Sequence, residues 1–170
     1  MLQKALVAVG AMSHRGALAA DAKTGDGAGV LTHIPYAILR RDLRLRIPNA
    51  DLGAGMVFLP QATDRARAAR TLVDTALEAG GVRVLGWREV PVDPSALGDH
   101  ARRTQPVIAQ VVVARPEGLS DDAFERLLYC RRRVIEKRAA SEGLALSIPS
   151  LSHATIVYKG LLVSPQLPRF

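Results

Sequence analysis

The sequence contains a single cysteine, Cys130, among its 170 residues. One thiol cannot form a disulfide within the chain, and it excludes a zinc site of the Cys-x-x-Cys type. Aromatic residues make up only 4% of the chain, so leucine, valine, isoleucine and alanine must fill the core. No apolar run reaches the roughly 18 residues that a membrane-spanning helix needs. These absences favour a reducing, cytoplasmic setting and no contact with a membrane.

Acidic residues are also few: the chain has 16 aspartates and glutamates against 23 lysines and arginines, and its net charge is +7. A basic surface suits an anionic partner, and the run Arg131–Arg133 with Lys137 and Arg138 is the segment that could bind nucleic acid. The competing interpretation is a solvated helix face, since acidic residues dilute the charge of this segment. They are Asp121, Asp122, Glu125 and Glu136. We therefore expect no nucleic-acid partner.

Hydrophobic spacing and turn residues predict a mixture of helices and strands. Helices are predicted at residues 2–13, in YAILRRDL after Pro35, from Thr63 through Leu77, and from Ser120 to Gly143. Strands are predicted at Gly29–Ile34, Gly53–Leu59, Val82–Val90, Pro106–Ala114, Leu144–Ile148 and Ala154–Tyr158. Thr63 and Ser120 are the predicted N-caps. Pro91–Gly98 and Ser150–Ser152 are predicted connections, and the tail SPQLPRF is predicted to lack a terminating structure. The pattern indicates one α+β domain over residues 1–170.

The stretch SHRGALAADAKTGDGAG, residues 13–29, combines glycines and acids in a way that could hold a ligand. A Walker-type phosphate loop places its lysine after the glycines and leads into a helix. Here Lys23 precedes the glycines and a strand follows. A dinucleotide loop has the spacing Gly-x-Gly-x-x-Gly, whereas this stretch has Gly-x-Gly-x-Gly. The residues alone therefore favour a tight connection in which glycines adopt positive φ.

Metal binding by the same stretch is also disfavoured. Asp21 and Asp26 could supply oxygen ligands, but their spacing is not that of a calcium loop. His14 and His33 have no paired ligand four residues on. We expect no metal site.

Five segments of the chain resemble one protein family in that family's order. They are HRGALAADAKTGDGAGVLTHIP, GAGMVFLPQ, GVRVLGWREVPVDPSALGDHAR, QPVIAQVVVARP and LSHATIVYKGLLVSPQL. Together they are similar to the glutaminase domain of the large subunit of bacterial glutamate synthase, and the resemblance covers essentially the whole chain.

The resemblance implies a class II glutamine amidotransferase with the N-terminal-nucleophile hydrolase fold. That fold is an α+β, four-layer αββα sandwich, here partial because its first strand is missing. In this family an N-terminal cysteine attacks the glutamine amide, and its own α-amino group acts as the base. The released ammonia travels to a second part, which carries FMN and an iron–sulfur cluster and forms glutamate from 2-oxoglutarate. None of these cofactors is expected in this segment.

The resemblance also assigns residues. Arg15 is expected beside the nucleophile and Gly16 at the turn that allows this approach, while the residues that follow shape the return into the next strand. These loop-shaping residues are Gly25, Asp26, Gly27 and Gly29, and Asp26 is expected to bond local backbone amides. Expected partners are glutamine, the other synthase domains and the small subunit.

The sequence departs from the family pattern at the nucleophile. Met1 falls inside the first predicted helix, so the strand with the catalytic cysteine is expected to be absent, as is the oxyanion-hole segment beyond Phe170. Cys130 lies in the middle of a predicted helix, where a buried or idle thiol is expected, and it cannot substitute. Another departure is His153-Ala154, where the family carries a small residue and then arginine. We expect a glutamate synthase fragment that is inactive alone; the alternative is a non-catalytic glutamine-sensing or regulatory domain.

Overall fold

The computed structural model describes residues 2–12, 16–17 and 23–169. Its helices are α1 Leu2–Ala11, α2 Tyr36–Asp42, α3 Thr63–Glu78, α4 Asp99–Thr104 and α5 Asp121–Ser141. Its strands are β1 Ala28–His33, β2 Leu52–Leu59, β3 Val84–Glu89, β4 Val107–Ala114, β5 Ser147–Ser152 and β6 Thr155–Gly160. Short 3₁₀ turns occupy Asn49–Asp51, Pro94–Ala96 and Ser164–Gln166. The predicted α+β class is confirmed.

The chain folds into two compact units. The first contains residues 1–32, 91–105 and 157–170, and the second contains residues 33–90 and 106–156. In the described part of the chain, no helix combines the length and the apolarity that crossing a membrane takes.

The second unit is built on a four-stranded antiparallel sheet with the strand order β3-β4-β2-β5. The central strands β2 and β4 run in register from Leu52 opposite Ala114 to Leu59 opposite Val107. Both strands are buried over nearly their whole length. This explains why their sequences are largely apolar, with Gln110 of β4 as the polar exception, since a strand covered on both faces has no need for alternating polar residues.

Helices α3 and α5 cover one face of this sheet. Val73 and Leu77 from α3 and Phe124 and Leu128 from α5 are fully buried in one cluster with Val111 of β4. The apolar residues recur every three or four positions, so one stripe of each helix faces the sheet. Burying a side chain of this size stabilises the fold by about 1.5–3 kcal/mol, which makes this cluster the main source of stability in the second unit.

The first unit has a smaller core. Strands β1 and β6 pair in a two-stranded antiparallel sheet, and most of their residues belong to this unit. Leu97, Ala101 and Leu162 are buried together, with Ala28 and Leu167 packed against them. Helix α1 contacts the 3₁₀ turn at residues 164–166. These contacts hold the end of β6 in place beside the segment that leads into β1.

The two predicted helix caps have different outcomes. Ser120 caps α5, because its hydroxyl oxygen accepts a hydrogen bond from the Ala123 N–H at 3.3 Å. The prediction for Thr63 is wrong: Thr63 is the first residue of α3, and the cap position is Ala62, which makes no side-chain cap bond. The sequence pattern does not reveal where the backbone leaves the helical region, and at Ala62 it is extended.

The last two predicted strands are displaced towards the C-terminus. Ser150–Ser152, the predicted connection, lies inside β5, where Ser150 pairs with Met56. Pairing with a buried neighbour outweighs the weak strand preference of serine. Pro149 is tolerated because β5 is an edge strand and its register shifts nearby, so the missing N–H interrupts no regular ladder.

Two short elements were not predicted. Helix α4 follows the connection at residues 91–98, and it is too short at six residues to show a helical period. The tail SPQLPRF is predicted to lack a terminating structure, but Ser164–Gln166 forms a 3₁₀ turn. This correction matters for the site, because the turn carries a side chain that reaches the glycine-rich stretch.

Candidate functional site

The glycine loop, residues 23–29, includes the first two residues of β1 and lies against β6 and the segment that leaves it. Gly25 is buried, and a Cβ added to it would collide with the Leu162 carbonyl oxygen and lie 2.7 Å from the Leu162 carbonyl carbon. Gly29 is equally close to β6, because its Cβ would lie 2.7 Å from both the Tyr158 carbonyl oxygen and the Lys159 Cβ. At these two positions only glycine lets the backbones approach so closely.

Gly27 meets a different requirement. Its φ of +134° lies in the region that L side chains rarely adopt, while the nearest neighbour of an added Cβ is 3.6 Å away. A side chain would therefore fit in the space, and it is the backbone conformation that requires glycine at this position. The three glycines of the loop serve two purposes, close approach at Gly25 and Gly29 and a positive φ at Gly27.

Hydrogen bonds hold the glycine loop at both of its sides. The Asp26 N–H donates to the Ala17 carbonyl oxygen at 3.2 Å, which ties the loop to the chain that follows Gly16. The Gln166 Nε2 donates to the Lys23 carbonyl oxygen at 2.9 Å, and the Gln166 Oε1 accepts from the Val163 N–H at 2.9 Å. The Gln166 amide thus connects the loop to the turn after β6.

The predicted site residues are placed as follows. Arg15 lies outside the described residues, as do His14 and Asp21. Gly16 is exposed, and the bond from Asp26 to Ala17 brings its neighbour beside the glycine loop. Asp26 is also exposed, and within the described ranges only its backbone N–H has a recorded hydrogen bond.

Cys130 is exposed on α5. Of the two expected alternatives, a buried or an idle thiol, the structure excludes burial, because position 130 falls on the solvent side of the helix, beside the exposed Tyr129. Its nitrogen belongs to a peptide bond inside the helix, so it has no free amine to act as a base. Among the described residues, no group of three or more His, Cys, Asp or Glu side chains is arranged to hold a metal ion.

A second polar cluster in the second unit contains a serine, a histidine and a glutamate. The Glu125 Oε2 accepts from the Ser152 hydroxyl at 3.0 Å and from the His153 N–H at 3.1 Å, and it lies 3.7 Å from the His153 Nε2. In a Ser-His-Asp triad the serine hydroxyl donates to the imidazole that takes its proton, whereas this hydroxyl donates directly to the carboxylate. The cluster is therefore a brace for the β5–β6 turn.

Further contacts support that assignment. The Ser152 hydroxyl oxygen accepts from the N–H groups of Ala154 and Thr155 at 3.0 and 3.2 Å. The Tyr36 hydroxyl donates to the His153 carbonyl oxygen at 2.5 Å. Burial raises the pKa of Tyr36, and the nearby Arg115 charge opposes this shift. The Ser152 hydroxyl and the backbone groups of His153 thus have structural partners.

An open groove of about 390 Å³ lies between α3 and α5 in the second unit. Charged side chains of both signs line it, including Arg67 and Asp64 from α3. Arg138 and Glu142 also line it and pair with each other at 3.4 Å. Because the opposite charges are mixed, the groove has no clear preference for an anion or a cation, and the glycine loop is the better candidate site.

Sequence reasoning missed Gln166 and Glu125. Gln166 lies 143 residues from Lys23 along the chain, and Glu125 lies 27 residues from Ser152, so no local pattern connects either pair. The Ser-Pro pair before Gln166 is a signal for a turn, and it could have marked the tail as structured. It carries no information about which carbonyl the side chain reaches.

Comparison with known proteins gives a family and several relatives. The sequence model of the family described as "Glutamine amidotransferases class-II" matches residues 1–170. The chain is 42% identical over 174 residues to "Ferredoxin-dependent glutamate synthase 2" of Synechocystis sp., and the alignment covers 100% of this chain and 11% of the relative. It is 39% identical over 175 residues to "Glutamate synthase (NADPH) large chain" of Azospirillum brasilense, covering 100% of this chain and 12% of the relative.

A third relative is the protein of the same name from Bacillus subtilis, which is 39% identical over 162 residues, or 94% of this chain and 11% of the relative. The chain therefore spans only 11–12% of the length of these three relatives.

Proposed function

Because the chain belongs to the class II glutamine amidotransferases, we propose that it forms part of the glutaminase site of a glutamate synthase. The site releases ammonia from the side-chain amide of glutamine and leaves glutamate. The ammonia then aminates 2-oxoglutarate elsewhere in the enzyme, and the electrons come from a donor that the relatives' names give as ferredoxin or NADPH.

The geometry of the glycine loop carries this proposal. The loop packs against the Leu162 carbonyl through Gly25 and is tied to Ala17 through the Asp26 N–H at 3.2 Å. A loop held at both sides can present the chain around Gly16 in one defined position. Positioning of this kind is what an amide-hydrolysing site requires, since a misplacement of 1 Å costs about a hundredfold in rate.

In this proposal Arg15 lies next to the nucleophile and Gly16 lets the chain approach it. Gly25, Asp26, Gly27 and Gly29 shape the support for these two residues. Cys130 has no free amine and sits within a helix, so the proposal assigns the nucleophilic thiol and its base to polypeptide other than these 170 residues.

The iron–sulfur cluster of a synthase does not fit this chain. An iron–sulfur cluster is held by several cysteine thiolates, and the sequence has one cysteine. We assign the cluster and the FMN to other parts of the enzyme, whose other domains and small subunit are the proposed partners. We also propose that residues 1–170 belong to one domain, which the family match over this whole range supports, and that the enzyme is cytoplasmic.

A labelling experiment tests the proposed function. The chain is isolated from its native cells through an affinity tag, in the polypeptide or complex that carries it. It is given 2-oxoglutarate, glutamine with ¹⁵N in the side-chain amide, and either reduced ferredoxin or NADPH. We expect ¹⁵N in the α-amino group of newly formed glutamate with one of the two donors.

Two variants make the test specific to the site. Arg15→Ala should lower the label transfer, whereas Arg67→Ala, which removes an exposed arginine of α3, should leave it unchanged. Absence of label with both donors would contradict the proposal. If calorimetry then detected glutamine binding, the chain would instead be a non-catalytic glutamine sensor.

A further inference from the structure

The side chain of Gln166, in the turn after β6, contacts the glycine loop, and neither the sequence pattern nor the family match assigns it a role. Its two amide atoms bond in opposite senses: Nε2 donates to the Lys23 carbonyl oxygen and Oε1 accepts from the Val163 N–H, both at 2.9 Å. One side chain therefore spans from the turn after β6 to the first residue of the glycine loop.

The turn that carries Gln166 is itself well anchored. Leu162 is buried in the small core of the first unit, and Leu167 packs against the same cluster. Helix α1 contacts the turn at residues 164–166. The turn that carries Gln166 is thus held by other contacts, so the bond from Gln166 to Lys23 restrains the glycine loop.

The chemistry of this contact specifies an amide. The Lys23 carbonyl oxygen accepts a hydrogen bond and the Val163 N–H donates one, and glutamine offers the matching donor and acceptor from one planar group. A glutamate would keep the acceptor but direct a carboxylate oxygen at the Lys23 carbonyl. An alanine would offer neither group.

We propose that Gln166 is a positioning residue of the glutaminase site, which holds the glycine loop so that Gly16 and its neighbours keep the geometry that hydrolysis needs. This inference rests on the proposed function. Gln166 itself touches no substrate in this proposal and acts through the glycine loop.

The test uses Gln166→Ala and Gln166→Glu in the enzyme that carries this chain, with Glu117→Ala as a control that truncates an exposed side chain of similar size in the second unit. Glutamate formation is measured with glutamine and, separately, with added ammonium, which bypasses the glutaminase site. Both Gln166 variants should lose about tenfold or more in kcat/KM for glutamine, as small misplacements do, and keep the ammonium-dependent rate. The control should keep both.

Hydrogen exchange on the same proteins measures directly how well the glycine loop is held in place. We expect faster exchange of the backbone amides at residues 23–29 in both Gln166 variants and unchanged exchange in the control. Unchanged glutamine-dependent activity, or an equal loss with glutamine and ammonium, would overturn the positioning role. If the unaltered enzyme forms no glutamate from glutamine, the proposed function itself fails and the role with it, while the exchange data still report whether Gln166 restrains the loop.

Discussion

Replacing Gly25 with alanine tests whether close approach of the glycine loop to the turn after β6 keeps the loop in place. The new Cβ would collide with the Leu162 carbonyl oxygen and lie 2.7 Å from the Leu162 carbonyl carbon and 2.9 Å from the Val163 nitrogen. Carbon atoms attract best at about 3.5–4.0 Å, so the two segments must separate by about 1 Å. The colliding atoms are backbone and cannot rotate away.

The size of the effect follows from two contributions. Overpacking a close contact costs about 1–3 kcal/mol, and a separation of this size also weakens the bond from Gln166 to Lys23, whose net contribution is about 0.5–1.5 kcal/mol. Because the loop can yield partly by shifting, we expect a total near 2–3 kcal/mol. This penalty destabilises the state in which the loop packs against Leu162, here called closed, and therefore favours local opening of the loop.

Amide hydrogen exchange at Asp26 measures that opening, since the Asp26 N–H is bonded to Ala17 only when the loop is closed. A shift of 2–3 kcal/mol corresponds to exchange that is faster by about 30-fold to 150-fold. Gly10→Ala is the matched control, because Gly10 lies in α1 with nothing within 4 Å of an added Cβ. It should stabilise the helix by up to about 1 kcal/mol. Exchange at Asp26 that is equal in Gly25→Ala and the unaltered protein would refute the reasoning.

Three further predictions concern the second unit. Burial raises the pKa of the Asp74 carboxyl, although its hydrogen bond from Trp87 at 2.8 Å opposes the shift. Above the raised pKa the charged carboxylate destabilises the folded state, so Asp74→Asn should be more stable than the unaltered protein there. This stability advantage should shrink as the pH falls through the raised pKa towards 3.8, the ordinary value. Urea unfolding followed by fluorescence of Trp87, the only tryptophan, measures this, and an advantage that grows on acidification would contradict it. Ser120→Ala removes the cap of α5 and should cost about 1 kcal/mol in the same assay, whereas no change would show that the 3.3 Å bond contributes nothing. Gly143→Ala should destabilise by about 1 kcal/mol, because φ is +63° there although an added Cβ meets nothing within 4 Å; unchanged stability would mean that the backbone relaxes.

Much of the fold could be predicted because it depends on local chemistry. Largely apolar runs marked β2 and β4, and a hydroxyl before a helical stripe marked the start of α5 at Ser120. The family was also predictable, since the segments that carry it are long and occur in one order, and the match over residues 1–170 confirms it. The same reasoning failed at Ser150–Ser152, where small polar residues imitate a turn but pair with the buried strand β2.

The sequence by itself determined the kinds of elements, the family, and the need for glycine in the stretch before β1, because propensity, periodicity and motif order are properties of neighbouring residues. Only the tertiary structure decided which backbone the glycines approach and what restrains the loop. Gly25 meets Leu162, and Lys23 meets the side chain of Gln166, 143 residues further along. Such contacts arise when β1 pairs with β6 and the turn after β6 folds onto its own small core. No local pattern records a pairing between distant segments, so the restraint on the loop becomes visible only in three dimensions.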